Sequence, residues 1–311
     1  MSQEVDVAII GAGLAGLSAA LTVARLGHST VVMTDGVPGG ELIKIEKIDG
    51  VPGHAEGVPG YDLCPITQEQ AEEVGAAFMD SPATAISAEG NKWRVASEEG
   101  VVLARSLIIA TGTSMAKLDI PGEERLEGKG VSECASCDAP LLRGKTAVVA
   151  GGGDSAMQEA LVLADHLDKV IMVTRGDALS GQAKYREAIE ENPKVEIRYN
   201  AVPTQILGDD SVSHVKLKDT ASGTEEDIEA DAIFVFIGLV PNTSLVADLV
   251  PLDETGRIEV DAAMRASTKG ICAAGNVRHG SPHRAAGAMG DAAAAAVAID
   301  RYLATGAWRD V

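Results

Sequence analysis

Aromatic side chains are scarce in this sequence. Phe, Tyr and Trp make up 3% of 311 residues, while apolar residues in all reach 46%. The core must therefore be aliphatic, and abundant Ala and Gly suit tightly packed α/β layers better than an aromatic-rich β-sandwich. Basic residues are also outnumbered, with 26 Lys and Arg against 46 Asp and Glu, a net charge of −20. That balance excludes the phosphate-neutralising surface of a nucleic-acid binder and disfavours an anionic membrane as partner. Long apolar runs are missing: "AIFVFIGLV" and "AAAAAVAI" are far too short to span a bilayer. The opening "MSQEVDVAII" has no basic segment, no long apolar core and no cleavage-type site, so no secretory signal is expected. The expectation is a soluble cytoplasmic protein, in a compartment that keeps thiols reduced.

What is present starts with "VDVAIIGAGLAGLSAALTVARLG", a buried strand, a glycine turn and a helix. Gly11, Gly13 and Gly16 fit G-x-G-x-x-G, with Leu14 and Ala15 between the second and third glycines. The first makes the turn, the second lets backbone approach a pyrophosphate, and the third allows close helix–strand packing. The helix N-terminus then faces the phosphates. A second strand, "STVVMT", leads to Asp35, nineteen residues after Gly16, where an acid that binds a ribose is expected. The pattern recurs in "TAVVAGGGDSAMQEALVLADHLDKVIMVTRGD", with Gly151, Gly153 and Ala156 in the glycine-motif positions. Two apolar strands, "RSLIIATGTS" with Thr111 and Gly112 and "AIFVFIGLVPNT" with Gly238, end in glycine turns where the chain would cross between domains. The expected fold class is α/β, two doubly wound Rossmann-like dinucleotide-binding domains with the second (116–244) inserted in the first (1–115 and 245–311).

Cysteine is sparse as well, four in all, yet Cys134 and Cys137 stand together in "CASCD" with Asp138 next. A permanent disulfide conflicts with a reducing compartment. Zinc needs four ligands, but Cys64 and Cys272 stand alone. Only His279 and His283 of the six histidines lie close, and Gly-Ser-Pro between them opposes a helix that would pair them. Beside two nucleotide folds, CxxC reads as a redox dithiol, and the motif lowers one thiol pKa. Asp138 is placed to serve as a general acid for a leaving thiolate, with a helix-end cap as its alternative. Cys64 and Cys272 read as small core residues, and Trp308 as a frayed tail residue.

Through "GAGLAG", "GGEL", "IIATG", "CASCD", "GGGDSA", "IGLVPNT" and "AAGNV", the chain resembles the low-molecular-weight thioredoxin reductases and the related flavoprotein subunit of alkyl hydroperoxide reductase. The resemblance implies a homodimer with an FAD domain and an inserted NAD(P)H domain that carries the dithiol. It places Gly11, Gly13, Gly16 and Asp35 near the ADP half of FAD. Gly39, Gly40 and Glu41, and then Asn276, Arg284 and Ala285, would lie near the ribityl chain and flavin ring. Gly151, Gly153, Asp154, Ser155 and Ala156 would hold NADPH, with NADH the second candidate. By family position Cys137 faces the flavin and Cys134 attacks the disulfide of a thioredoxin-like protein, with one domain rotating against the other about the crossovers.

The chain departs from the family pattern in two places. Glu41 stands where Gln is usual, Asn276 where Asp is usual, and Ala285 where Gln follows Arg. These changes bear on the flavin's potential and its reaction with oxygen. After the second strand of the inserted domain, "VTRGDALS" keeps a single arginine, Arg175, of the cluster that grips a 2′-phosphate. Donor preference therefore stays open. The expected activity is thioredoxin-disulfide reduction. The alternatives are an FAD-dependent oxidase of small dithiols with oxygen as acceptor, and a ferredoxin-fed or nucleotide-independent relative of the reductases.

Overall fold

The computed structural model describes residues 2–308. The chain divides into two compact units, one running to Ser114 and resuming at Pro241, the other spanning Met115–Val240.

The first unit opens with β1 (Ser2–Ile10), α1 (Leu14–Arg25) and β2 (Thr30–Thr34), followed by α2 (Gly60–Glu73) and β3 (Ala77–Asp80). An antiparallel excursion, β4 (Ala85–Glu89) and β5 (Lys92–Ser97), leads into the long β6 (Gly100–Ile109). Strands β3, β2, β1 and β6 pair in parallel in that order. Val7, Ile9, Leu107 and Ile109 are fully enclosed, as expected for strands covered on both faces. Burying each such side chain is worth roughly 1.5–3 kcal/mol. Helix α1 stops at Gly27 (φ 90°), whose left-handed backbone lets its amide return to Ala24 O at 2.9 Å.

The chain leaves through β7 (Thr113–Met115). The second unit runs β8 (Val131–Ser132), α3 (Ala135–Asp138), β9 (Thr146–Ala150), α4 (Asp154–His166), β10 (Lys169–Val173), α5 (Ala183–Glu191) and β11 (Val195–Arg198). A three-stranded antiparallel meander follows, β12 (Ala201–Leu207), β13 (His214–Asp219) and β14 (Glu225–Glu229), before β15 (Ala232–Val235). Its parallel sheet has the order β11-β10-β9-β15-β8. The return strand β16 (Leu239–Pro241) pairs with β7.

Back in the first unit, β17 (Ile271–Ala273) pairs with the last residues of β6, and the Ala-rich α6 (Ala285–Thr305) follows. Helix α6 packs on α1 through Ala292, Ala295, Ala296 and Ile299, all buried. Trp308 corrects the expectation of a frayed tail. It is buried in the same cluster, its indole Nε1 donates to Ala266 O at 3.0 Å, and its ring meets Tyr302 edge-on at 5.1 Å. A large apolar surface with one donor is held wherever both can be satisfied. It does not line the cleft described below. Among the described residues no helix is long and apolar enough to cross a membrane, and no cluster could hold a metal ion.

Candidate functional site

At the C-terminal ends of β1, β2 and β6 the first unit holds a cleft of about 330 Å³, where open α/β sheets bind ligands. Gly11 takes φ 100°, and a Cβ there would stand 2.6 Å from Ala110 O, so only glycine makes this turn. A Cβ on Gly13 would meet nothing within 4 Å, leaving its backbone bare to the cleft. Gly16 does not line the cleft. A Cβ there would stand 1.9 Å from Gly11 O, so it sets how closely α1 packs on the turn. The first turn of α1 carries no side-chain cap and no acid, so its amides stay available to an anion.

Leu14, Ala15, Asp35, Gly39, Gly40 and Glu41 line the same cleft. Gly39 N donates to Ala12 O at 2.8 Å, which ties the 39–41 segment to the glycine turn. Glu41 faces Lys44 at 3.4 Å. Thr111, Gly112, Asn276, Arg284 and Ala285 line the cleft as well. Asn276 Oδ1 accepts from Ser281 Oγ at 3.1 Å. Arg284 is the N-cap of α6 without a capping side-chain bond.

Three further features line or support the cleft; Asn242 belongs to the "IGLVPNT" motif, while Asp291 carries no sequence signal of its own. Asn242 accepts from Thr111 Oγ1 at 2.6 Å, and its Nδ2 donates to Thr111 O at 3.0 Å. Asp291, buried in α6, takes Arg278 through two bonds of 2.9 and 2.7 Å and also accepts from Gly275 N at 3.1 Å. His283 lines the cleft at φ 52°. Partial desolvation, together with the nearby charges of Arg257, Arg284 and Arg278, lowers its pKa from the ordinary histidine value.

In the second unit the glycine turn repeats the same devices. Gly151 takes φ 138°, with a hypothetical Cβ 2.3 Å from Phe236 O, while Gly153 borders open space. Ala156 is buried against the turn, and Ser155 is exposed at the start of α4. Asp154 does not point free: its Oδ1 accepts from Gln182 N at 2.7 Å, pinning the 181–182 loop. Residues 175–178 beyond β10 are exposed, Arg175 among them. The nearby Arg198 at the end of β11 is engaged by Glu196 and Glu226. Gly238 lies between β15 and β16, its carbonyl accepting from Ala116 N at 3.0 Å.

Cys134 and Cys137 form a disulfide, Cα to Cα 5.4 Å. Cys134 is the half-buried N-cap of α3, and its Sγ accepts from Cys137 N at 3.2 Å. Cys137 is the more exposed sulfur. Asp138 ends α3 half-buried and makes no side-chain cap to the following turn. Cys64 and Cys272 are free and buried, and burial pushes the Cys64 thiol up to about 11. Neither supplies a thiolate near neutral pH.

Comparison with known proteins agrees with this layout. Residues 5–292 match the pyridine nucleotide-disulphide oxidoreductase family. The chain is 38% identical to a thioredoxin reductase of Treponema pallidum over 98% of this chain and 99% of that protein. Among solved structures, the Lactococcus lactis thioredoxin reductase superposes with a TM-score of 0.94 at 34% identity, covering 96% of this chain and 99% of that one. The T. acidophilum thioredoxin reductase gives a TM-score of 0.93 at 32% identity, covering 97% of this chain and 100% of that one.

Proposed function

The chain belongs to the pyridine nucleotide-disulphide oxidoreductase family, and on that premise we propose that it is a flavin-dependent thioredoxin reductase. The observation that carries this reading is a disulfide, Cys134–Cys137, built into the same unit as a second dinucleotide-type glycine turn. FAD fits the first unit's cleft. The bare Gly13 backbone and the uncapped start of α1 suit its pyrophosphate, and Asp35 suits the ribose hydroxyls. Asn276 and Arg284 line the same cleft and are proposed to face the ribityl chain and ring. NADPH or NADH is proposed at Gly151, Gly153 and Ser155, by the same criteria. A flavin so placed supplies two-electron transfer between a nicotinamide and a disulfide.

The chain's own residues perform the exchange. With the dithiol reduced, the Cys134 thiolate attacks one sulfur of the partner's disulfide, forming a mixed disulfide and releasing the partner's other sulfur as thiolate. Cys137 then attacks Cys134 Sγ, closing the Cys134–Cys137 bond and freeing the partner dithiol. Two electrons leave for the partner. Asp138, uncapped beside the pair, delivers a proton to a departing sulfur. The hydrogen bond that the Cys137 N–H donates to Cys134 Sγ supports Cys134 as the thiolate. The greater exposure of Cys137 favours the reverse order, and trapping separates the two. The working form proposed is a cytoplasmic homodimer, for which exposed Tyr61 and Ile66 on α2 and Val297 on α6 offer apolar surface.

The test is direct. Purified holoenzyme given NADPH should reduce a thioredoxin disulfide, and the Cys137→Ser variant should not. A wild type that reduces no thioredoxin with NADPH, NADH or reduced ferredoxin would contradict the reading.

A further inference from the structure

Helix α3 has four residues, too few to hold itself together in water. Its position therefore depends on what it docks against. Ala135 and Ala139 are fully buried in one cluster with Ala156, Met157 and Ala160 of α4. Small side chains on both helices permit the backbones to approach closely. Beside this apolar contact lies the carboxylate of Glu159 of α4, 5% exposed. A carboxylate so placed is tolerated only when bonded. Its Oε2 accepts from Ala135 N at 3.0 Å, the peptide N–H that directly follows Cys134.

Three of the short helix's four amides are bonded as follows. Cys137 N goes to Cys134 Sγ, Asp138 N to Cys134 O at 3.3 Å, and Ala135 N to Glu159. The last is the bond among these that leaves α3, and it is charge-assisted. It fixes the peptide joining Cys134 to Ala135, and through it the direction in which the Cys134 side chain leaves the backbone. The same α4 starts at Gly153 of the glycine turn, so one helix carries both the turn and the dithiol's anchor.

We propose that Glu159 is a positioning residue for the Cys134–Cys137 pair, holding α3 in the geometry that thiol–disulfide exchange requires. This rests on the dithiol reading given above. An apolar residue at 159 would leave Ala135 N–H buried without its acceptor and let α3 shift, and displacements of about 1 Å at a reacting centre slow reactions by up to about 10²-fold. Glutamine keeps an oxygen at the same place without the charge. Aspartate withdraws the acceptor by one methylene.

The experiment uses full-length holoenzyme, reduced with dithiothreitol, desalted anaerobically and mixed with the aromatic disulfide DTNB. The dithiol becomes a disulfide and DTNB becomes its two thiols, so electrons balance without thioredoxin. Failure of the wild type to reduce thioredoxin, by contrast, would strike the proposed function alone. Glu159→Leu should slow this exchange about 10- to 100-fold, with FAD content and the Michaelis constant for the nicotinamide donor unchanged. Glu159→Gln should stay within about twofold of wild type, as expected if a retained acceptor is what matters. A Leu variant as fast as wild type, or a Gln variant as slow as Leu, would overturn the proposal. If Glu159→Leu does not fold, Glu159→Asp takes its place: slowed exchange supports the role, and an unchanged rate refutes it.

Discussion

The Cys137 amide donates to Cys134 Sγ at 3.2 Å, so one sulfur of the pair carries a built-in donor that would hold its thiolate. That asymmetry makes the division of labour testable. Cys137→Ser should trap a mixed disulfide with thioredoxin through Cys134. Cys134→Ser should still allow the flavin to be reduced but trap nothing. Mass spectrometry of the trapped species decides, and a bond through Cys137 would reverse the assignment.

Gly16 is the tightest point of the first glycine turn, its missing Cβ only 1.9 Å from Gly11 O. Gly16→Ala must push α1 away from backbone that cannot yield. Destabilisation should reach or exceed the top of the roughly 1–3 kcal/mol range for overpacking, with loss of bound FAD. Gly176→Ala, at an open position, is the control, and thermal unfolding with flavin fluorescence reads both.

The Asp291–Arg278 pair joins a buried carboxylate to a half-buried guanidinium, and Asp291 also takes Gly275 N from the cleft wall. Removing one partner leaves an uncompensated charge. Asp291→Ala should cost roughly 3–5 kcal/mol, seen as a lower denaturant midpoint and weaker FAD retention. The double variant Asp291→Ala/Arg278→Met should regain part of that stability.

Much of this was legible in the sequence, for reasons that are local. A β-branched run, a glycine turn and an apolar helix declare a βαβ opening within about 30 residues, and "CASCD" is a motif by spacing alone. The supporting residues are not local. Glu159 sits between Gln158 and Ala160 like any solvent-facing helical acid, and becomes buried only because α3 docks there. Asp291 is one acid in an Ala-rich helix, and nothing in its neighbourhood announces Arg278 thirteen residues upstream. Trp308 looks like a tail residue by position alone, because burial of a terminal side chain depends on a distant acceptor, Ala266 O. The β12–β14 meander carried no signal tied to function, although β13 alternates, with Val215 and Leu217 buried between His214, Lys216 and Lys218.

Donor preference turns on the exposed 175–178 segment. Arg198 is occupied by Glu196 and Glu226, which leaves Arg175 as the cation of that segment. Gly176 has room for a side chain, its nearest atom Ala178 O at 3.6 Å. Gly176→Arg should lower the Michaelis constant for NADPH more than for NADH, each added charge-assisted contact being worth on the order of 1.5–3 kcal/mol. An unchanged ratio would show that this loop does not meet the 2′-phosphate.

The most direct test of the account follows electrons through the whole chain under anaerobic conditions. NADPH should bleach the flavin absorbance of the wild type, and thioredoxin disulfide should restore it with two new thiols per NADPH oxidised. Asp138→Asn should bleach normally but recover about 10²–10⁴-fold more slowly, the range for loss of a general acid. The contradicting result is a flavin that thioredoxin disulfide cannot restore, in a protein that consumes oxygen rapidly on a small dithiol and is indifferent to Asp138→Asn.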